Sequence, residues 1–254
     1  MLNEIFTENC LDTMNRMPKD FVDLVVTSPP YDNLRTYNGF SFDFENVCAA
    51  LFKVLKPGGV VVWIVGDATV AGSESGTSFR QALGFIDAGF RLHDTMIWRK
   101  TNPMPKVKTK RYFDVFEYMF VFSKGQPKTF NPIMQETKFG GKVYSSTVKK
   151  ITTGMERVPK TFVLKNERFK DNIWDCAVAQ NKTSHPAVFP EKLVSDHVLS
   201  WSAEGDVIYD PFMGSGTTAL ASLKLKRNFV GSEVSAEYVE IANNRIEKEI
   251  GLWD

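Results

Sequence analysis

The sequence predicts an α/β fold, a doubly wound and mainly parallel sheet, and three observations carry that prediction. Short apolar runs recur that are nearly continuous rather than alternating, as strands buried on both faces require. Helical patterns separate several of them, and parallel strands need such crossovers. A glycine-rich turn joins one late strand to a helix, where sheets of this class bind ligands.

The first run, VDLVVTS at 22–28, passes into two consecutive prolines. FENVCAALFKVLK (44–56) then places Val47, Leu51, Val54 and Leu55 on one helical stripe and stops at Pro57-Gly58-Gly59. VVVWIVG (60–66) is a strand, FRQALGFIDAGF (79–90) a helix, and YMFVFS (118–123) a strand. Residues 125–181 break the rhythm, mixing Gly, Pro, Lys, Ser and aromatics without a period, and read as an insertion with little regular structure. Strand DVIYD (206–210), helix TTALASLKLK (217–226), strand NFVGSE (228–233) and helix SAEYVEIANNRIEKEI (235–250) complete a single domain over 1–254.

Composition limits the alternatives. An apolar share of 43% and a charged share of 24% are ordinary for a soluble globular protein, so disorder does not dominate. No signal-like segment opens the chain and no apolar run approaches a membrane span, so a cytoplasmic protein with no membrane partner is expected. Cys10, Cys48 and Cys176 are far apart with no CxxC pair, which argues against a disulfide framework and against a metal site.

A net charge of +1 hides an uneven distribution. Residues 99–111 hold six basic side chains and no acid, and Lys138 to Lys170 holds nine against Glu156 and Glu167. By contrast the last stretch, from Glu233, has six acids against two basic residues. A basic face on a neutral protein points to a polyanionic partner.

The turn in DVIYDPFMGSGTTALASLKLKRNFVGSE narrows the ligand. Gly214 and Gly216 let the backbone turn tightly and approach a ligand, and Glu233 follows at the distance of a ribose-binding acid. No lysine precedes Thr217, which disfavours a triphosphate. Ala219 stands where a dinucleotide fingerprint has its third glycine or an alanine, so the loop alone leaves NAD open. Asp210 would face a pyrophosphate with like charge, and an amine-bearing cofactor fits better.

DPFMGSGTT (210–218) with Glu233 resembles the S-adenosylmethionine loop of amino-group DNA methyltransferases, and TSPPY (27–31) resembles their catalytic motif. Catalytic motif first and cofactor loop last is the permuted order of the family's beta group. The resemblance implies the seven-stranded methyltransferase sheet with one antiparallel edge strand, and S-adenosyl-L-methionine as cofactor. It implies that Asp210, Phe212, Gly214, Ser215, Gly216 and Thr217 wrap the methionine moiety and that Glu233 holds the ribose. VLKPGG (54–59) and IWRKTNPMP (97–105) look like further family segments. NKTSHPAVFPEKL (181–193) is similar to the segment that folds against the cofactor's methionine end, with Thr183, His185 and Pro186 in the usual places. Where the family often has Gly-Asp, this chain has Glu8-Asn9, and Asn9 can pair with an adenine edge.

An exocyclic amine is a poor nucleophile because its lone pair is delocalised into the ring. Two acceptors fixed opposite its N–H groups orient it and stabilise the charge that develops. The Ser28 hydroxyl and the Pro29 carbonyl are those acceptors in this reading, Pro29 and Pro30 stiffen the turn, and Tyr31 stacks on a base flipped from the helix. His185 has the chemistry of a general base, yet a cofactor-wall role is preferred, because the amine proton can leave to water.

Serine at the first position of the motif favours cytosine N4, with adenine N6 as the alternative. Cytosine-C5 chemistry needs a cysteine after proline, and none is present. Double-stranded DNA is the expected partner, with 125–181 as target-recognition region and Lys106, Lys108, Lys110 and Arg111 holding the backbone. An RNA or protein-glutamine acceptor and a catalytically silent DNA-binding module remain as rivals. A cognate restriction endonuclease, and the choice between monomer and homodimer, are open.

Overall fold

The computed structural model describes residues 1–30, 42–103, 110–149, 157–178 and 190–251. They fall into two compact units, Met1–Asn131 with Asn172–Asp254, and Pro132–Asp171.

The larger unit begins with β1 (Glu4–Thr7), α1 (Cys10–Arg16), β2 (Val22–Thr27), α2 (Phe44–Val54) and β3 (Leu55–Val65). A small hairpin of β4 (Thr69–Val70) and β5 (Ser73–Glu74) leads to α3 (Thr77–Asp87), β6 (Arg91–Lys100) and β7 (Phe116–Ser123). After the smaller unit come β12 (Ile173–Cys176), α4 (Glu191–Trp201), β13 (Val207–Asp210), α5 (Thr217–Lys224), β14 (Asn228–Glu233) and α6 (Ala236–Ile250).

Among the described residues the sheet has eight strands in the order β1-β14-β13-β2-β3-β7-β6-β12. It is an α/β, Rossmann-like sheet in which β7 alone runs against its neighbours, pairing antiparallel with both β3 and β6. Two details differ from the sequence expectation. The antiparallel strand is interior, because the β6–β7 hairpin folds back between β3 and β6. The eighth strand is β12, which pairs parallel with β6 and buries Trp174 against His197, ring centroids 4.6 Å apart. β1, β6, α1 and α4 were likewise not anticipated from the sequence.

Adjacent strand residues face opposite ways, and the core is split accordingly. Val230 packs with Tyr209, Val25, Trp63 and Phe122 against α1, α2 and α3, while Phe229 packs with Ile5, Ala219 and Ala242 on the side of α5 and α6. All six residues of β2, and Val60 to Val65 of β3, are buried. At about 1.5–3 kcal/mol per fully buried apolar side chain, those two strands can only lie at the centre. Among the described residues, no helix is long and apolar enough to cross a membrane.

The smaller unit holds two antiparallel pairs, β8 (Met134–Glu136) with β11 (Glu167–Phe169) and β9 (Val143–Lys149) with β10 (Arg157–Val163). The expectation of little regular structure is corrected here. Two-stranded ribbons cover neither face, so they leave no clean apolar pattern. Phe139, Val143, Val163 and Phe169 are exposed, and Tyr144 stacks on Phe162 across the longer ribbon at 6.2 Å.

Candidate active site

Two strand ends meet at the middle of the sheet. β2 and β13 are neighbours, with Leu24 opposite Ile208 and Val25 opposite Tyr209, so Ser28-Pro29-Pro30 and Asp210 leave the sheet side by side. From this pair the chain builds outward in opposite directions, through β3 on one side and β14 on the other, which is where sheets of this class open a crevice. Ser28 is half-buried, Pro29 buried and Pro30 half-buried.

Asp210 joins the two ends. The Thr27 hydroxyl donates to its Oδ1 at 2.6 Å, the Thr218 hydroxyl to its Oδ2 at 2.7 Å, and the Phe212 N–H to Oδ1 at 3.0 Å. Burial pushes this carboxyl up to about 6, the three donors pull against that, and the Glu233 charge adds to it. Thr27 and Thr218 were overlooked in the sequence, although a buried carboxylate at a strand end needs donors and both hydroxyls stand inside the quoted motifs.

Glu233, at the end of β14, holds the next two turns. One of its oxygens accepts from Gly214 N–H at 2.9 Å and the other from Ser235 N–H at 2.9 Å. Burial raises its carboxyl, while the backbone donors of Ser235, Gly214 and Val234 oppose the rise. Neither Asp210 nor Glu233 pairs with a Lys or Arg among the described residues. Two buried acids flanking one glycine turn suit a ligand that carries positive charge.

The turn is shaped from behind by α6. Gly216 is the N-cap of α5 at φ 81°, and a Cβ there would stand 2.9 Å from Ala242 Cβ. The Arg245 guanidinium donates to the Ser215 carbonyl at 3.2 Å and the Thr217 hydroxyl at 2.9 Å. Phe212 turns the other way, edge-on to Phe42 and Trp63 with centroids at 5.4 and 6.2 Å.

A buried hydroxyl chain lies behind the site. Tyr209 and Ser232 hydroxyls are 2.8 Å apart, Ser232 donates to Thr13 at 2.9 Å, and Thr13 donates to Glu8 at 2.6 Å. Tyr209 precedes Asp210 and Ser232 precedes Glu233, so the chain holds α1 in register with both acids. Asn9 is the N-cap of α1, its Oδ1 accepting from Leu11 N–H at 2.9 Å.

Of the expected backbone contacts, Lys110 is exposed. Arg111 is engaged within the protein, donating to the Gly72 carbonyl at 3.0 Å and pairing with Glu74 at 2.5 Å. Tyr31, Lys106, Lys108, Thr183, His185 and Pro186 lie outside the described residues.

Comparison with known proteins is consistent with this arrangement. The N6/N4 family model, described as DNA methylase, matches residues 22–244. The chain is 48% identical over 241 residues to orphan methyltransferase M.BamHII of Bacillus amyloliquefaciens, covering 91% of each. It is 28% identical over 255 residues to type II methyltransferase M.BglII of Bacillus subtilis, covering 95% of this chain and 68% of that one. Among solved structures, PvuII DNA methyltransferase (cytosine-N4-specific) superposes with a TM-score of 0.72 at 22% identity, over 98% of this chain and 89% of that one. TTHA0409 of Thermus thermophilus, complexed with S-adenosyl-L-methionine, superposes at 0.66 with 26% identity, over 97% of this chain and 95% of that one.

Proposed function

Since the chain belongs to the N6/N4 DNA methylase family, we propose that it moves the methyl group of S-adenosylmethionine to the exocyclic amine of a base flipped out of double-stranded DNA, cytosine N4 being the favoured target. The Thr27–Asp210 hydrogen bond supports the reading most directly. It ties the strand end that bears the proposed amine acceptors to the one that bears the proposed cofactor loop.

The residues present fit the cofactor. Asp210 and Glu233 complement an ammonium and a sulfonium, and Glu233 keeps lone pairs for ribose hydroxyls beyond its two backbone bonds. Asn9 stands at the start of α1, near the end of β1, which pairs with β14. Its amide group is the proposed contact to the adenine edge. When bound, S-adenosylmethionine supplies an electrophilic methyl group on sulfur.

Ser28 and Pro29 meet the target amine. The serine hydroxyl and the proline carbonyl accept its two N–H bonds, turn its lone pair toward the neighbouring β13 loop, and stabilise the positive charge that grows on nitrogen. Pro30 keeps the turn from relaxing. The surplus proton passes to water once the amine is cationic, so no strong base is required. The serine favours cytosine, and adenine N6 is the alternative.

The unit Pro132–Asp171, within the stretch 125–181, is the proposed reader of the recognition sequence, with its basic and exposed aromatic side chains. A paired nuclease is not required by this chemistry. Relatives include both an orphan and a type II enzyme.

Incubation with tritiated S-adenosylmethionine and unmethylated genomic DNA, followed by nucleoside chromatography, tests the proposal. Label in N4-methylcytosine is expected, label in N6-methyladenine moves the target base, and label absent from DNA overturns the reading. Ser28→Ala should bind the cofactor as the wild type does and lose most of its turnover. Methylation by that variant at the wild-type rate would remove Ser28 from the amine site.

A further inference from the structure

Arg245 makes contacts that neither motif predicts. It lies on α6, away from both motifs in sequence, yet one guanidinium nitrogen donates to the Ser215 carbonyl at 3.2 Å and to the Thr217 hydroxyl at 2.9 Å. Those residues bracket Gly216, whose left-handed φ lets the turn enter α5. The loop carbonyl and hydroxyl therefore answer to a cation on a different helix.

Its surroundings say why the guanidinium stays in place. Arg245 also lies 3.7 Å from Glu191 and 3.8 Å from Glu249, and Lys224 pairs with the same two acids at 2.7 and 2.5 Å. Two cations and two acids thus form one closed set, and all four side chains are half-buried. Glu191 is the first residue of α4 and lies within the stretch 181–193 that carries Thr183, His185 and Pro186. Glu249 and Arg245 belong to α6, and Lys224 ends α5. Such a set is screened less by salt than a lone surface pair, and it fixes the position of three helices at once.

We infer that Arg245 is a positioning residue for the cofactor loop: it holds the turn Ser215-Gly216-Thr217 in its ligand-ready shape and ties that turn, through Glu191, to the start of α4. The inference rests on the proposed cofactor reading of this loop. Without Arg245 the Thr217 hydroxyl and Ser215 carbonyl lose their shared donor, and the turn gains conformers that do not fit the ligand. Affinity then falls by the fraction of the population that remains competent. The chemical step is untouched, because among the described residues Arg245 bonds only to the loop and to Glu191 and Glu249, not to β2 or the Ser28-Pro29-Pro30 turn. Lysine keeps the charge but has no planar fork to serve two loop oxygens and two acids together.

Calorimetric titration of the full-length protein with S-adenosylmethionine, paired with steady-state rates on genomic DNA, tests this. Arg245→Ala is expected to weaken cofactor binding and raise its KM about tenfold while kcat stays within about twofold, and Arg245→Lys to recover part of the loss. Lys226→Ala, which removes a largely exposed contact with Glu204 at 3.8 Å, should change neither. Unchanged affinity in Arg245→Ala, with only a lower melting temperature, would overturn the inference and leave the functional reading standing. A wild-type protein that binds no S-adenosylmethionine would overturn the reading itself. A folded Arg245→Ala protein whose kcat and kcat/KM fall together would also sink the inference, because the loss would then lie in the transition state.

Discussion

Asp210→Asn should separate stability from function. The carboxyl at this position is pushed from its ordinary value of 3.8 to about 6, chiefly by burial. A displacement of about 2 pH units is worth about 3 kcal/mol, the order of the cost of keeping the group ionised at neutral pH in the folded protein. An acid whose folded pKa lies above its unfolded one binds its proton more tightly when folded. Its contribution is therefore most favourable below pH 4 and declines as pH rises through 6. Asparagine is isosteric and neutral. Thr27 and Phe212 can still donate to its oxygen, and the Thr218 hydroxyl can turn toward the Val26 carbonyl, 3.4 Å away. At pH 7.5 the variant is expected to be as stable as the wild type or more so, by up to about 3 kcal/mol, with the melting temperature rising by about 2–4 °C per kcal/mol. At pH 5 the difference should shrink. Affinity for S-adenosylmethionine should fall at least about tenfold, since one of the two buried acids proposed to complement the cationic ligand is gone. Differential scanning calorimetry at the two pH values and isothermal titration read both effects. A variant several kcal/mol less stable at both pH values would show that the three hydrogen bonds outweigh the buried charge, and unchanged affinity would refute the charge complementarity.

Other substitutions probe separate parts. Gly216→Ala puts a Cβ at positive φ and 2.9 Å from Ala242, so it should cost about 2–4 kcal/mol by chemical denaturation. Gly205→Ala, at φ 86° with nothing within 4 Å, should cost only about 1–2 kcal/mol. Lys100 and Glu117 pair at 2.7 Å with exposures of 19% and 13%, so a double-mutant cycle of Lys100→Met and Glu117→Gln should show a coupling of about 0.5–3 kcal/mol. Replacing Lys106, Lys108 and Lys110 together by alanine should lower the slope of log K against log salt by about 0.9 for each phosphate that is no longer neutralised. Arg111→Ala should change that slope less, since its guanidinium is already committed to Glu74 and the Gly72 carbonyl.

How far the fold was legible depended on burial. β2, β3, β7, β13 and β14 were readable because each is a short run with both faces covered, α2, α3 and α6 because each keeps one apolar stripe against the core, and α5, buried from Thr217 to Ser222, because a glycine turn opens it. β1 and β12 each bury only one of their four residues, whereas β13 buries all four, so they carry no continuous apolar signal. β6 is exposed along its first half, which removes the continuous apolar signal. The ribbons of Pro132–Asp171 failed for the same reason carried further, since neither face of a lone two-stranded pair is covered.

Site residues divided along a different line. Those proposed for local chemistry, the Ser-Pro-Pro turn and the glycine turn, were visible as short motifs because neighbours in sequence must act together. Those whose task is to hold one turn against another were not. Thr27 reaches Asp210, Tyr209 reaches Ser232, and Arg245 reaches Thr217, each across a separation that only the strand order closes. A motif can tell which atoms meet a ligand, but the shape those atoms keep is set by partners that no local pattern marks. The buried acid at 210 shows both aspects in one residue. Its place in DPFMGSGTT was legible, while its role in fastening β2 to β13 required knowing that those two strands lie side by side. The same carboxylate fastens the sheet through its hydrogen bonds and is proposed to serve the ligand through its charge, and for that reason substitution by asparagine, which removes only the charge, can tell the two apart.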